Sequence, residues 1–389
     1  MDQASPSDVI YLDHAATTAL DPAVFAAMQP YFTDYPGNPS SIHQIGRKAL
    51  QAIDDVRMML CAVLGCSQRE IIITGGGSES DNLAIKGVAL AQHQRGKGQH
   101  IISTAIEHHA VLDALEYLQH FGFEVTLLPV DRAGRVSVAD VQAALRPDTV
   151  LVSVMYANNE TGVIQPIAEI GALCRERGIP CHTDAVQAVG LLPIQPDLLN
   201  VDLLTLAAHK FYGPKGIGLL YIRRGTPLLP QINGGGQERR RRAGTENTPA
   251  IVGMAVALER AEQQRDAYAQ HCTARRDQLI QGVLQRVPDT WLNGHATHRL
   301  PNNANLGFAG VDAESILLLL DQHGVCASSG SACTSGSLDP SHVLLAMGLP
   351  PDEASASVRL TVGRATTAAQ IERTLAVLAD VVQRLRPGA

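Results

Sequence analysis

The chain has 389 residues, too many for one small core and suited to one large plus one smaller domain. It is 45% hydrophobic and 18% charged with a formal net charge of −7, a balance that suits a globular protein and excludes general affinity for nucleic acid. Seven scattered cysteines, an odd number, argue against a disulfide framework and for a reducing compartment.

The N-terminus has no secretory pattern and no segment is apolar for the length a bilayer needs, so a cytoplasmic protein is expected. Cys61, Cys174, Cys181 and Cys272 fall in or beside apolar patterns and read as small core residues. No cysteine or histidine cluster has metal-ligand spacing.

Strand-like runs occur at 70–74, 99–103, 124–129, 150–155, 179–183, 201–206 and 218–222. Helical patterns fall between them near 79–94, 108–121, 138–145 and 167–177. This alternation predicts an α/β domain with a mostly parallel sheet covered by helices on both faces. Ligands of such sheets sit beyond the carboxyl ends of the strands. A long amphipathic stretch at 250–287 leads into strands at 303–308, 325–327 and 357–360 and helices at 313–323, 340–347 and 367–385. These predict a second, α+β domain with the boundary near residue 258.

At 73–82, ITGGGSESDN ends an apolar strand in glycines and opens a helix at Ser78–Glu79. Such a turn suits one phosphate, since glycines let amides approach and a helix start favours an anion. It also reads as a tight turn with an N-cap. His108 follows a strand and offers a flat imidazole for stacking on a ring, or simply caps a helix. Asp184 follows the strand at 179–183, where a carboxylate can pair with a protonated ring nitrogen. Gln187, one turn on, can donate to a phenolic oxygen of that ring.

In AAHKFYGPKG (207–216), Lys210 sits between an apolar run and a Gly/Pro turn, at the mouth of the sheet. Desolvation there disfavours the ammonium, and a neutral amine is what a Schiff base requires. The arginines at 239–242 read as a solvated loop or an anion contact. Cys333 lies among small residues in SSGSACTSGS (328–337), a composition that predicts an exposed, mobile and reactive thiol. Cys326 reads as buried. Phosphate turn, stacking histidine, acidic partner and lysine arrive in the order that pyridoxal phosphate chemistry needs.

The chain resembles the cysteine desulfurases of the NifS/IscS type, in the class V pyridoxal-phosphate superfamily. The likeness runs through YLDHAATT (11–18), GNPSSIH (37–43), GGGSESDNLAIKG (75–87), EHHAV (107–111), NNETGVIQPI (158–167), HTDAVQAVG (182–190), HKFYGPKGIG (209–218), GGGQERRRRAGTEN (234–247), SSGSACTSGS (328–337) and VRLTVGR (358–364). The long cysteine loop is similar to the group I members.

The resemblance implies fold type I, with a large domain over 16–258 and a small domain of 1–15 and 259–389 carrying the cysteine loop. It implies that Lys210 carries pyridoxal 5'-phosphate as an imine and that His108 stacks on the ring and shuttles protons. Asp184 is implied at the pyridine nitrogen and Gln187 at the ring oxygen. Gly77, Ser78 and His209 would bind phosphate, with Thr245 from the other subunit of a homodimer. Asn158 and Arg359 would bind the carboxylate of the substrate, L-cysteine, and Cys333 would receive the sulfur. The sulfur acceptor would be an iron–sulfur scaffold or a thiolation protein.

Two positions depart from the pattern. Ala207 stands where the family usually has a phosphate-binding serine, and Gly77–Ser78 stands where Ala–Thr is common. Rival readings are a selenocysteine lyase, a small-substrate aminotransferase, or a non-catalytic interaction protein on the same fold.

Overall fold

The structure is a computed structural model that describes residues 9–329 and 339–386. In chain order the first elements are β1 (Ile10–Tyr11), α1 (Pro22–Met28), α2 (Pro30–Thr33), α3 (Gln44–Leu64), β2 (Ile71–Thr74), α4 (Gly77–Gln94), β3 (His100–Thr104) and α5 (His109–Gln119). There follow β4 (Glu124–Leu128), α6 (Val138–Ala144), β5 (Thr149–Ser153), α7 (Ile167–Arg177), β6 (Cys181–Asp184), β7 (Leu203–Ala207) and β8 (Gly218–Ile222). Helices α8 (Thr248–Gln263) and α9 (Arg265–Arg286) lead to β9 (Thr290–Leu292), β10 (Asn303–Phe308), α10 (Ala313–Gln322) and β11 (Val325–Cys326). The last elements are α11 (His342–Ala346), α12 (Pro351–Ser355), β12 (Ser357–Thr361) and α13 (Ala368–Leu385).

A seven-stranded sheet runs in the order β2-β8-β7-β6-β5-β3-β4. Strands β7, β6, β5, β3 and β4 are parallel, and β8 runs against both its neighbours. Helices cover both faces, so β5 and β7 are buried at every residue and read as continuous apolar runs. Because β2 opposes β8, it runs with β7, and its carboxyl end lies at the same sheet edge as theirs.

Besides a core of Ile72, Leu83, Ile101, Leu115, Leu151 and Leu220, two larger cores meet near that edge. One joins Val24, Ile53, Leu60, Ile102, Val152, Leu204 and Leu258 around the sheet. The other joins Ile10 and Leu12 to Leu279, Phe308, Ile316, Leu360 and Val382, around the sheet β12-β10-β9. The stretch predicted as one long amphipathic run is two helices, broken at Gln264, which closes α8 and opens α9.

The sequence reading passed over α3. Its buried face consists of Gly46, Ala49, Ala52, Ile53, Val56, Arg57, Leu60 and Leu64. Small residues and an arginine blur that stripe, and Arg57 is tolerated there only because buried Glu238 pairs with it. Cys61, expected in the core, is only half-buried, as is Cys326.

Candidate active site

The carboxyl ends of the strands deliver the site. Beyond β2 comes the turn to Gly77 and Ser78, beyond β3 comes His108, and beyond β5 come Met155, Ala157 and Asn159. Asp184 ends β6, and His209 and Lys210 follow β7. These residues line one cleft of about 350 Å3, together with Ala15, Ala16, Asp81, Gln187, Ala207 and Arg359.

Lys210 Nζ donates to the carbonyls of Ala15 at 2.6 Å and Ala16 at 2.7 Å. Those carbonyls belong to the N-terminal segment, which Thr361 Oγ1 fixes by accepting from Ala15 N at 2.9 Å. Lys210 therefore reaches from the sheet toward the second core. Two carbonyl acceptors thus engage the N–H donors of Nζ at the mouth of the sheet. Gln187 Nε2 donates to the Ala15 carbonyl at 3.0 Å.

Asp184 is buried and Oδ1 accepts from Val186 N at 2.9 Å. Burial raises its pKa, while His108, the Val186 N–H and Lys210 pull it down. An acid in that balance suits a cationic partner in the cleft. His108 caps α5, with Nδ1 accepting from Ala110 N at 3.0 Å. That bond assigns the proton of the neutral ring to Nε2. His209 Nδ1 is 3.1 Å from Thr17 Oγ1, and burial lowers its pKa to about 4.

The glycine turn is a tight cradle. A Cβ on Gly77 would lie 3.2 Å from Val186 Cγ2 and 3.4 Å from Ala207 Cβ. Amides at the start of the 18-residue α4 border the cleft there, as an anion site requires. Arg242 turns back to Glu79, with Nε 2.8 Å from Oε1, and Glu79 Oε2 accepts from Gly75 N at 2.7 Å. This arginine of the basic run is thus an internal partner of the turn. Lysine, acid, flat imidazole and amide cradle together fit pyridoxal phosphate.

Arg359 comes from β12 and is buried. Nη2 donates to Asp13 Oδ1 at 2.9 Å and Nη1 to the Asn159 carbonyl at 3.0 Å. Its Nε has no partner among the described residues. Asn158, expected at the substrate carboxylate, does not line the cleft. Its Nδ2 donates to Ile106 O, and its Oδ1 accepts from the amides of Glu160 and Thr161 and from Thr161 Oγ1. Asn159 lines the cleft instead. In a pair of adjacent asparagines the sequence holds no signal for which one lines the cleft.

Thr245 is exposed and does not line the cleft of its own chain. Cys333 lies outside the described residues. The chain leading to it pairs with Arg359, as Arg359 N donates to Ser328 O at 2.6 Å.

Asp81 was missed by the sequence reading. It is buried in the cleft wall and Oδ1 has no hydrogen-bond partner among the described residues. Burial first, then the charge of Asp184, pushes its pKa well up. Its Oδ1 is 3.6 Å from His182 Nε2, a ring that burial holds neutral at a pKa of about 3. The only sequence signal was a carboxylate one helical turn into the phosphate-turn helix.

A parallel sheet with a lysine at its carboxyl edge, facing a buried acid and an amide cradle, defines an α/β enzyme built for a phosphorylated aldehyde cofactor. Residues 10–374 match the family described as Aminotransferase class-V. The chain is 50% identical to "Cysteine desulfurase IscS" of Dictyoglomus turgidum, over 97% of this chain and 95% of the relative. It is 50% identical to "Cysteine desulfurase IscS" of Methanosarcina thermophila, over 98% and 94%. Among solved structures, "NIFS-LIKE PROTEIN" superposes with a TM-score of 0.91 at 34% identity, covering 97% of this chain and 100% of that one. Another, "SspA in complex with cysteine", gives 0.82 at 36% identity over 92% and 100%. The chain belongs to the class-V aminotransferase family, among its cysteine desulfurases.

Proposed function

We propose that the protein is a pyridoxal-phosphate-dependent cysteine desulfurase that converts L-cysteine to L-alanine and passes the sulfur to Cys333 as a persulfide. The observation that carries this reading is one cleft joining Lys210, Asp184 and His108 to the buried, incompletely paired guanidinium of Arg359. The relatives named cysteine desulfurase and the neighbour solved with cysteine support it.

Lys210 would anchor the cofactor, with Gly77, Ser78 and His209 at its phosphate and Thr245 joining from a second copy of the chain. Ala207 adds no hydroxyl there. Asp184 would face the ring nitrogen, Gln187 the ring oxygen and His108 the ring face. Bound in this way, the cofactor supplies an electron sink for the Cα of the amino acid.

Arg359 would grip the substrate carboxylate with parallel N–H donors, beside Asn159. Lys210, as a free amine, would take the Cα proton and return it, steadied by the Ala15 and Ala16 carbonyls. His108 holds its neutral-form proton on Nε2, the atom left to move a proton near the departing sulfur. The Cys333 thiolate forms the S–S bond as the Cβ–S bond breaks. The electron pair stays on the substrate carbon, which takes up a proton and leaves as alanine.

The division into 16–258 and 1–15 plus 259–389 is supported by the two largest cores, one built from residues 24–258 and the other from residues 10–12 and 272–382, with smaller clusters bridging them. The persulfide would serve an iron–sulfur scaffold or a thiolation protein, and the setting would be cytoplasmic. No helix among the described residues is long and apolar enough to cross a membrane.

Incubation with L-cysteine and a thiol reductant should yield alanine and sulfide in equal amounts. Cys333→Ala should keep the visible colour and lose both products, whereas Lys210→Ala should lose the absorption of lysine-bound cofactor. Sulfide release by Cys333→Ala at the wild-type rate would reject the persulfide role.

A further inference from the structure

Cys61 and Cys66 bracket the C-terminal turn of α3 and are joined by its backbone closure. Gly65 closes that helix in the left-handed region at φ 66°. The Cys66 N–H then donates to the Cys61 carbonyl at 3.1 Å. This is the closure in which the residue two past the helix end packs on the residue in its last turn. In many helices that contact is made by two apolar side chains. Here both positions hold cysteines, and each thiol shifts the ionisation of the other.

Both residues are half-buried, so solvent reaches the pair. The neighbouring Cys66 thiol favours ionisation of Cys61 against the cost of burial, and the charges of Arg57 and Arg239 add to it. One ionisation then holds the second thiol up, as in any tightly coupled pair. Arg57 lies one turn back on the same helix and anchors Glu238, at the head of the segment that runs on to Arg242.

The chain contains its own control. Cys174 and Cys181 are a second pair of neighbouring thiols. Both are sealed in the core, 0% and 1% exposed.

We propose that Cys61 and Cys66 form a reversible intrachain disulfide, a modification site separate from the sulfur chemistry of Cys333. The co-reactant is a low-molecular-weight disulfide such as oxidised glutathione. The Cys61 thiolate attacks one of its sulfurs, the S–S bond breaks, and one thiol leaves with the electron pair and takes a proton. The Cys66 thiolate then attacks the Cys61 sulfur of the mixed disulfide and releases the second thiol. Two protein thiols are oxidised and one disulfide is reduced to two thiols.

Trypsin places both residues in one peptide, 58–69, because Arg57 and Arg69 flank them. Cys326 and Cys333 fall in a different peptide, 300–359. The full-length protein is incubated with oxidised glutathione, then denatured, alkylated, digested and weighed. The expected result is a peptide 58–69 two hydrogens lighter, with alkylation reduced at least ~10-fold and restored by dithiothreitol. Cys66→Ala should instead accumulate a glutathione adduct on Cys61. Cys174 and Cys181 should remain fully alkylatable.

Three results overturn the proposal. The first is a wild-type peptide 58–69 that keeps two alkyl groups. The second is one that stops at the glutathione adduct. The third is equal oxidation of Cys174 and Cys181, which would place the reactivity in unfolded chain.

Discussion

Glu107, next to His108, is a buried acid whose protonation the fold controls. Its Oε1 accepts from Thr104 Oγ1 at 2.5 Å and Met155 N at 3.0 Å, while Oε2 has no partner among the described residues. Burial raises its pKa to about 8. Below the ordinary glutamate value both folded and unfolded chains hold the proton, so the group is neutral for stability. Between that value and pH 8 only the folded chain holds it. Stability therefore falls as pH rises through this window and levels above it. The bound on this loss is on the order of several kcal/mol. Glu107→Gln imitates the protonated acid and should remove the slope. Melting curves should show the variant near wild type at pH 5 and several degrees more stable at pH 9. A difference equal at both pH values would show that this carboxyl does not titrate in the window.

The same scale shows how far side-chain roles were readable. Lys210, Asp184 and His108 lie at strand ends, where the sequence already pointed, because an apolar run followed by a polar residue marks the sheet edge. Asp81 was not readable. Its burial depends on β6 and β7 passing beneath α4, which bring Asp184 and Thr205 to it from more than a hundred residues away.

At the scale of elements, the approach of β8 to the glycine turn decides the shape of the anion cradle. A Cβ on Gly218 would come within 2.7–2.8 Å of the Gly76 backbone. Backbone cannot yield there without moving the start of α4. Gly218→Ala should cost roughly 1–3 kcal/mol and loosen pyridoxal phosphate binding. Gly216 gives the contrast, since its φ is +74° and nothing lies within 4 Å of its would-be Cβ. Gly216→Ala should cost only about 1 kcal/mol of backbone strain and leave cofactor affinity unchanged. Denaturant melts and cofactor titration of both variants test this, and equal cofactor affinity in the two would sink the steric account.

Across the whole molecule, the cleft exists because two cores meet at one sheet edge. Lys210 comes from the sheet side. Arg359, Asp13 and the Ala15 and Ala16 carbonyls come from the N-terminal segment and β12, which pack with the second core. Arg359→Lys removes the planar fork while keeping the charge. It should lower kcat/KM for L-cysteine about 30-fold, roughly 2 kcal/mol, mainly through KM. The absorption of lysine-bound cofactor should persist. A KM within twofold of wild type would show that another group holds the substrate carboxylate.

The alternation of apolar runs and amphipathic stretches was enough to set the fold class, since strand burial on two faces and helix burial on one leave different periods in the chain. Motif order along that alternation was enough to single out Lys210, Asp184 and His108 for the roles proposed, because each follows its own strand. Only the tertiary structure decided that Asn159 and not Asn158 lines the cleft, that Asp81 is buried with Oδ1 lacking a hydrogen bond among the described residues, that Arg57 belongs inside and that Cys66 closes back on Cys61. Those outcomes depend on packing between segments distant in sequence, or on which way a turn closes. Neither a periodicity nor a motif carries that information.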